Sequence, residues 1–251
     1  MNRMLVLGTE IDRISSSGAV ERALSCMEGR RGAYVVTPNT EIVLSARKCP
    51  ELRDAIRDSS LSIPDSVGIG IACRILGTPI VERIPGIDFA LSLFPEMAKR
   101  EMSVFLFGAR EGVAARAACA LCLSFPGLRI AGTADGYSDL REEEGLIERI
   151  DSASPDLLLV CLGSPKQELW MHRNAFRLRV GLMAGLGGAL DVFSGDVRRA
   201  PPAWRNAGME WLYRLLNEPQ RIKRVSGLPL IVFAAARNRI GGIGPVWKRE
   251  S

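Results

Sequence analysis

Five short polar segments of this 251-residue chain place reactive side chains at the ends of apolar runs. Thr37-Pro38-Asn39-Thr40 sets two short donor–acceptor groups, Thr37 and Asn39, around a proline-fixed turn, which serves for helix capping as well as for binding. Ile63-Pro64-Asp65-Ser66 ends a second run on a carboxylate. Asp65 is either the N-cap of the helix that follows or a general base at the mouth of a sheet. In Glu82-Arg83-Ile84-Pro85-Gly86, Arg83 stands just before a helix start, where the helix N-terminus adds positive potential. That suits an anion, and a surface pair with Glu82 is its other use. In Leu162-Gly163-Ser164-Pro165-Lys166-Gln167-Glu168, glycine lets a ligand approach the backbone and Gln167 offers both donor and acceptor to a base or sugar. Gly185-Leu186-Gly187-Gly188, with Asp191 following, is a glycine-rich turn suited to a phosphate or a ribose, and equally to close packing.

Other chemistries lack their residues. His172 is the only histidine, so neither a Ser-His-Asp triad nor a histidine metal site is expected. No Asp-x-Asp occurs, so the usual carboxylate pair for a divalent ion on a nucleotide diphosphate is missing, and the expectation is chemistry with no metal and no cofactor. Six cysteines in a chain of this size make no disulfide framework, and Cys119-x-x-Cys122, in an Ala-rich helical stretch, is expected to be a pair of ordinary buried thiols.

The elements that must hold these segments alternate. Strands are predicted at Met4–Leu7, Ala33–Thr37, Leu61–Ile63, Ser103–Phe107, Leu128–Ala131, Leu157–Leu162 and Arg179–Ala184. Helices are predicted at Ser17–Gly29, Glu41–Ala46, Pro50–Asp58, Ser66–Leu76, Ile87–Lys99, Glu111–Ser124, Glu142–Ser152 and Lys166–Asn174. Alternation with run-like apolar strands implies an α/β fold, Rossmann-like, with a mostly parallel sheet covered by helices on both faces. Ligands of such sheets bind at the carboxyl ends of the strands, where the five segments fall.

The last part of the chain differs in composition. From Arg198 onward there are eleven Lys and Arg against three acids, together with three of the four tryptophans, so the rest of the chain is close to neutral. Cations interleaved with Trp and Tyr suit a membrane interface. Arg198-Arg199-Ala200-Pro201-Pro202 reads as a hinge, which divides the chain into an α/β catalytic body, 1–197, and a basic helical appendage, 198–251. Helices are expected at Ala203–Asn217 and Gln220–Val225, the latter interrupted by Gly227 and Pro229. The longest apolar stretch, Leu228 to Ala236, is about half of the roughly 20 residues needed to span a bilayer, and the N-terminus has no signal-peptide pattern. The expected location is cytoplasmic and peripheral on the inner membrane face.

The segments occur in order with further ones: Thr-Pro-Asn, Pro-Asp, Glu-Arg-x-x-Gly-x-Asp, Phe-x-Phe-Gly-Ala, Asp-Gly-Tyr, Leu-Gly-x-Pro-Lys-Gln-Glu-x-Trp, Gly-Gly-x-x-Asp and Arg-Ala-Pro…Glu-Trp-Leu-Tyr-Arg-Leu-x-x-Glu-Pro-x-Arg. Over roughly Leu5 to Arg224 this set resembles the WecG/TagA/CpsF glycosyltransferases. The resemblance implies transfer of a hexose from a UDP-sugar to a polyprenyl-diphosphate-linked sugar at the cytoplasmic membrane face. In the TagA type this is N-acetylmannosamine, passed to undecaprenyl-diphosphate-N-acetylglucosamine in teichoic acid synthesis. It also implies Asp65 as base with Thr37 and Asn39 beside it, Arg83 and Gln167 as substrate contacts, and Tyr137 and Asp191 as uridine-holding residues. Gly185 and Gly187 then belong to the donor turn, and Arg214, Arg221 and Arg224 to a basic appendage that completes the site. Ser66 and Cys161 depart from the family pattern, standing where it has glycine, and Leu190 stands where it often has an aromatic.

The expected partners are a UDP-sugar, the lipid-linked acceptor and the membrane surface, with no nucleic acid and with a homo-oligomer left open. Donors other than UDP-N-acetylmannosamine fit the same pattern: its uronic acid, UDP-glucose or UDP-galactose. Two other classes compete. A nicotinamide-dependent oxidoreductase is compatible with Gly185–Gly188, although the first strand–helix turn lacks GxGxxG. A nucleic-acid-binding protein is compatible with the basic charge, although that charge is confined to a Trp-rich tail instead of tracking a backbone.

Overall fold

The structure, a computed structural model, describes all residues except 1, 30, 31, 207, 218–226, 241–247, 250 and 251. It opens on a hairpin of β1 (Asn2–Val6) and β2 (Thr9–Asp12), turned by Leu7 and Gly8 at φ of 52° and 89°. Positive φ at both central residues gives the turn whose twist matches antiparallel strands. The first predicted strand therefore does not join the parallel sheet, because a two-residue turn returns the chain antiparallel, whereas a parallel neighbour needs a long crossover.

The alternating part follows. α1 (Ser16–Gly29) leads into β3 (Ala33–Val36), α2 (Thr40–Ala46), α3 (Pro50–Arg57), β4 (Leu61–Ser62), α4 (Val67–Ile75) and α5 (Gly86–Lys99). Next come β5 (Ser103–Gly108), α6 (Val113–Ser124), β6 (Arg129–Ala134), α7 (Ser138–Arg141) and α8 (Glu143–Ala153). β7 (Leu157–Cys161), α9 (Lys166–Asn174), β8 (Leu182–Gly185) and α10 (Ala189–Phe193) complete it. The six strands β3 to β8 form one sheet in the order β4-β3-β8-β7-β5-β6, with every neighbouring pair parallel.

Both faces of this sheet are buried, and the strand period of two divides each strand between them. Ala33, Val35, Leu157, Leu159, Leu182 and Ala184 face one core layer, packed against residues of α1, α5, α6 and α10. Tyr34, Val36, Leu158, Val160 and Met183 face the other, packed against α2, α3, α8 and α9. Strands buried on two sides carry apolar residues at consecutive positions, which is why they read as runs and not as alternations. Cys119 and Cys122 correct an expectation. Both are exposed, because α6 turns Ala114, Ala117, Ala118 and Leu121 inward and leaves these thiols on its outer face.

After α10 the chain forms α11 (Pro202–Asn206) and α12 (Glu210–Asn217), then α13 (Gly227–Ile240) and a short strand, β9 (Lys248–Arg249), paired with β1. The single helix expected over Ala203–Asn217 is two, broken at Gly208 with φ of 71°. No helix was expected where α13 lies, since Gly227 and Pro229 read as interrupting the helix Gln220–Val225. Instead Gly227 begins α13 and Pro229 lies in its first turn, where an N–H has no intrahelical partner to lose. Ile231 and Ala235 of α13 are fully buried in a third core with Met4, Val6, Val43, Ile69 and Ala72. The expected helix Gln220–Val225 lies outside the described residues.

Candidate active site

Because all six strands of the main sheet run parallel, their carboxyl ends share one edge. The loops leaving β3, β4, β5, β7 and β8 meet there around a cavity of about 580 Å³. Thr37, Asn39, Asp65, Arg83, Tyr137, Gln167, Gly187 and Asp191 all line it, so most residues singled out in the sequence converge. Gly185 lies just beneath the lining, at the end of β8.

Asp65 does not cap α4. The N-cap is Ser66, whose side chain accepts from the Ile69 N–H. The Asp65 carboxylate turns instead to the next element: its Oδ1 accepts from the Gly86 N–H, the first residue of α5, at 3.0 Å. Its own N–H donates to the Pro38 carbonyl, binding the β4 turn to the β3 turn. Asn39 is the N-cap of α2, its Oδ1 accepting from Ile42 N–H at 3.0 Å. Thr37 is buried, and its hydroxyl donates to the Gly185 carbonyl at 3.0 Å, tying β3 to β8 at the cleft floor. The capping and bracing uses of Thr37 and Asn39 are therefore present, and both still border the cavity.

Arg83 is half-buried on the cavity wall, and among the described residues it has no ion pair. Glu82, the alternative partner, accepts from the Ser16 N–H instead. Gln167 is buried at the start of α9. Its Nε2 donates to Glu168 Oε1 at 2.8 Å and its Oε1 accepts from the Gly187 N–H at 2.9 Å. Burial pushes the Glu168 carboxyl above its ordinary range, opposed by the Gln167 hydrogen bond. Gln167 thus holds the glycine turn in place. A Cβ at Gly185 would lie 2.7 Å from Met171 Cε and 3.0 Å from Gln167 Nε2, so a larger residue there would press on the Gln167 amide.

On the far wall Tyr137 is exposed, and its turn is braced by an N–H bond to Asp135 Oδ1. Asp191 sits in the first turn of α10, facing the same space. Cys161 is buried beneath this wall, and burial pushes its thiol up to about 12, which makes it a protonated core group. Leu190 is fully buried in the first core layer.

The cavity also takes residues not foreseen from the sequence: Glu41, Arg110, Arg199 and Trp211. Arg110 follows β5 at the binding edge, a placement the strand pattern could have flagged. Arg199 gave no such signal. Arg214 belongs to α12 by its backbone, and Arg221 and Arg224 lie outside the described residues.

The model of the glycosyl transferase WecG/TagA/CpsF family matches residues 4–243. Among similar proteins are three named N-acetylglucosaminyldiphosphoundecaprenol N-acetyl-beta-D-mannosaminyltransferase. The one from Bacillus spizizenii is 32% identical, covering 87% of this chain and 84% of its own length. The one from Bacillus subtilis strain 168 is 33% identical over 83% of this chain and 82% of its own. The one from Staphylococcus aureus strain MRSA252 is 33% identical over 92% and 91%. These matches do not favour the oxidoreductase reading of Gly185–Gly188. With a parallel-sheet cleft lined by the motif residues and a family match across nearly its whole length, the chain belongs to the WecG/TagA/CpsF family of glycosyl transferases.

Proposed function

We propose that this chain is an inverting, UDP-sugar-dependent hexosyltransferase. Its donor is most simply UDP-N-acetylmannosamine, and its acceptor is undecaprenyl-diphosphate-linked N-acetylglucosamine, in teichoic acid or surface polysaccharide assembly. The observation that carries this reading is the Asp65 carboxylate, held by the Gly86 N–H at the carboxyl edge of a parallel sheet and sharing one cleft with Arg83, Gly187 and Asp191. Asp65 takes the proton of the acceptor hydroxyl as that oxygen bonds to the anomeric carbon. The bond from that carbon to the diphosphate breaks, and UDP leaves with the electron pair. Positioned proton transfer of this kind contributes about 10²–10⁴-fold. The charge growing on the diphosphate falls to Arg83, which no described carboxylate neutralises, and to the Gly188 N–H of the glycine turn, whose Leu186 and Gly187 N–H groups already donate to the Val160 carbonyl and Gln167 Oε1. Tyr137 and Asp191 are proposed to hold the uridine.

The names of the relatives support the choice of sugar, and UDP-sugars of other hexoses are the competing donors. The test is a donor screen with a short-lipid diphosphate N-acetylglucosamine acceptor, reading UDP release and product mass. Product from UDP-glucose and none from UDP-N-acetylmannosamine would overturn the sugar assignment. Catalysis is expected to survive EDTA, because the chain lacks Asp-x-Asp and has one histidine. Loss on chelation with rescue by Mg²⁺ or Mn²⁺ would refute that.

Residues 198–251 are proposed to act as a membrane-associating appendage. Among the described residues no helix is long and apolar enough to cross a membrane. The support is α13, which is apolar on two opposite sides. Ile231 and Ala235 face the core, while Leu230, Phe233 and Ile240 are 59%, 69% and 88% exposed, at helical spacing with Arg237. An outward apolar stripe flanked by arginine fits the headgroup boundary of an anionic bilayer. Phe233→Glu in the full chain is expected to weaken sedimentation with anionic vesicles about tenfold or more, since burial of a Phe side chain is worth about 1.5–3 kcal/mol. Added salt should weaken the wild type too. Unchanged partitioning of the variant would remove α13 from the membrane contact. Full-length protein is the sample to use, because a cut near Val197 uncovers the α4 face that α13 covers.

A further inference from the structure

Resting on the transferase reading, we propose that Arg199 is a positioning residue: it clasps α11 and α12 onto the first turn of α5 and so builds the acceptor side of the cleft next to Asp65. The sequence sets up the insertion. Arg198 and Arg199 precede Ala200-Pro201-Pro202, and the prolines restrict the chain so that adjacent side chains take different sides. Arg198 is exposed, whereas Arg199 turns inward beside the buried Ala200.

The Arg199 side chain is only 14% exposed and stands between two carboxylates from different elements. Its Nη2 is 2.7 Å from Asp88 Oδ2, in the first turn of α5. Its Nε is 3.8 Å from Glu210 Oε1, at the first residue of α12. Arg205 Nη1, from α11, lies 3.8 Å from the other Asp88 oxygen. Glu210 is 12% exposed, so it and Arg199 are both largely withdrawn from water. Charges withdrawn to this degree are tolerable only when matched, and removing one partner leaves the other to be rehydrated by moving. The arrangement therefore favours one seat for α12.

The other end of the clasp is rigid. Phe89, Ala90, Leu93 and Phe94 fix α5 in the first core layer with no exposure at all. Gly86, which begins the same turn as Asp88, is the residue whose N–H holds the Asp65 carboxylate. Gly208, Glu210 and Trp211 line the cavity together with Asp65 and Arg83. Seating α12 thus decides the shape of the wall that faces the base. Among the three arginines that line the cavity, Arg83 has no described carboxylate against it, while Asp88 and Glu210 already match the charge of Arg199. Arg199 is a clasp and not a diphosphate ligand.

The test uses the full chain with Arg199→Gln, Asp88→Asn and the double variant. In Arg199→Gln, amides of α11 and α12 should exchange hydrogen at least about tenfold faster, while those of β5 and β7 keep their protection. The KM for a short-lipid acceptor should rise about tenfold or more, with the UDP Kd within about twofold of wild type. Adding Asp88→Asn to Arg199→Gln should change exchange by less than about twofold, because the two residues act as a pair. Unchanged exchange of α11 and α12, additive effects in the double variant, or an equal loss of UDP affinity would each overturn the clasp. The exchange arm needs no turnover. A wild-type chain that transferred none of the hexoses would sink the transferase reading while these measurements still decided the clasp.

Discussion

Asp65→Asn is expected to lower kcat by at least about 100-fold while the UDP Kd stays within about twofold of wild type. The structure separates this substitution from the loss of a helix cap. An Asp at a helix start is commonly a cap, and its loss then costs about 1 kcal/mol of stability. Here Ser66 is the N-cap of α4, so Asp65 is released from that duty. The hydrogen bond described for its side chain is accepted from the Gly86 N–H, and the Oδ1 of asparagine can accept the same bond. Size and that hydrogen bond are kept, and the capacity to take a proton is lost. Steady-state transfer to a soluble acceptor, with UDP binding by calorimetry alongside, provides the check. Near-normal turnover would reduce Asp65 to a brace between the β4 turn and α5.

What could be read in advance follows from burial. Strands β3 to β8 were legible because both faces of the sheet are covered, leaving short apolar runs between helices. Their parallel pairing then fixes that the turns after them meet, so the convergence of Thr37, Asp65, Gln167 and Gly187 was implied by fold class before any contact was known. Choices of one residue were not legible. Asp65 and Ser66 are both good caps, and composition cannot say which turns back onto α4 and which reaches α5. Helix α13 was hidden by Gly227 and Pro229, which break a helix interior but are harmless in its first turn. The β1–β2 hairpin was hidden because Met4–Val6 looks like any other buried strand, and Thr9–Asp12 is too short and polar to announce its partner. Arg199 was invisible for a different reason. Its partners, Asp88 and Glu210, lie on separate elements, and nothing local distinguishes it from the exposed Arg198.

Gln167→Leu is expected to act on the opposite kinetic constant. Gln167 is buried, and its two amide atoms are committed in opposite directions: Nε2 to Glu168 and Oε1 to the Gly187 N–H. Leucine fills nearly the same volume but offers neither group. The Gly187 N–H then loses its acceptor, and the buried Glu168 carboxyl loses a donor that opposes the effect of burial. An unsatisfied buried group costs about 1–3 kcal/mol, so the glycine turn should relax and the UDP Kd should rise about 10- to 100-fold. Turnover at saturating donor should fall far less, because Asp65 lies on a different turn with its own tether to α5. A lowered Tm with an unchanged UDP Kd would instead make Gln167 a packing residue with no part in shaping the donor turn. Measured together, the two variants separate the halves of the site. Loss of kcat with donor affinity intact at Asp65, and loss of donor affinity with kcat largely intact at Gln167, is the pattern expected of a cleft in which one strand end carries the base and another carries the diphosphate cradle.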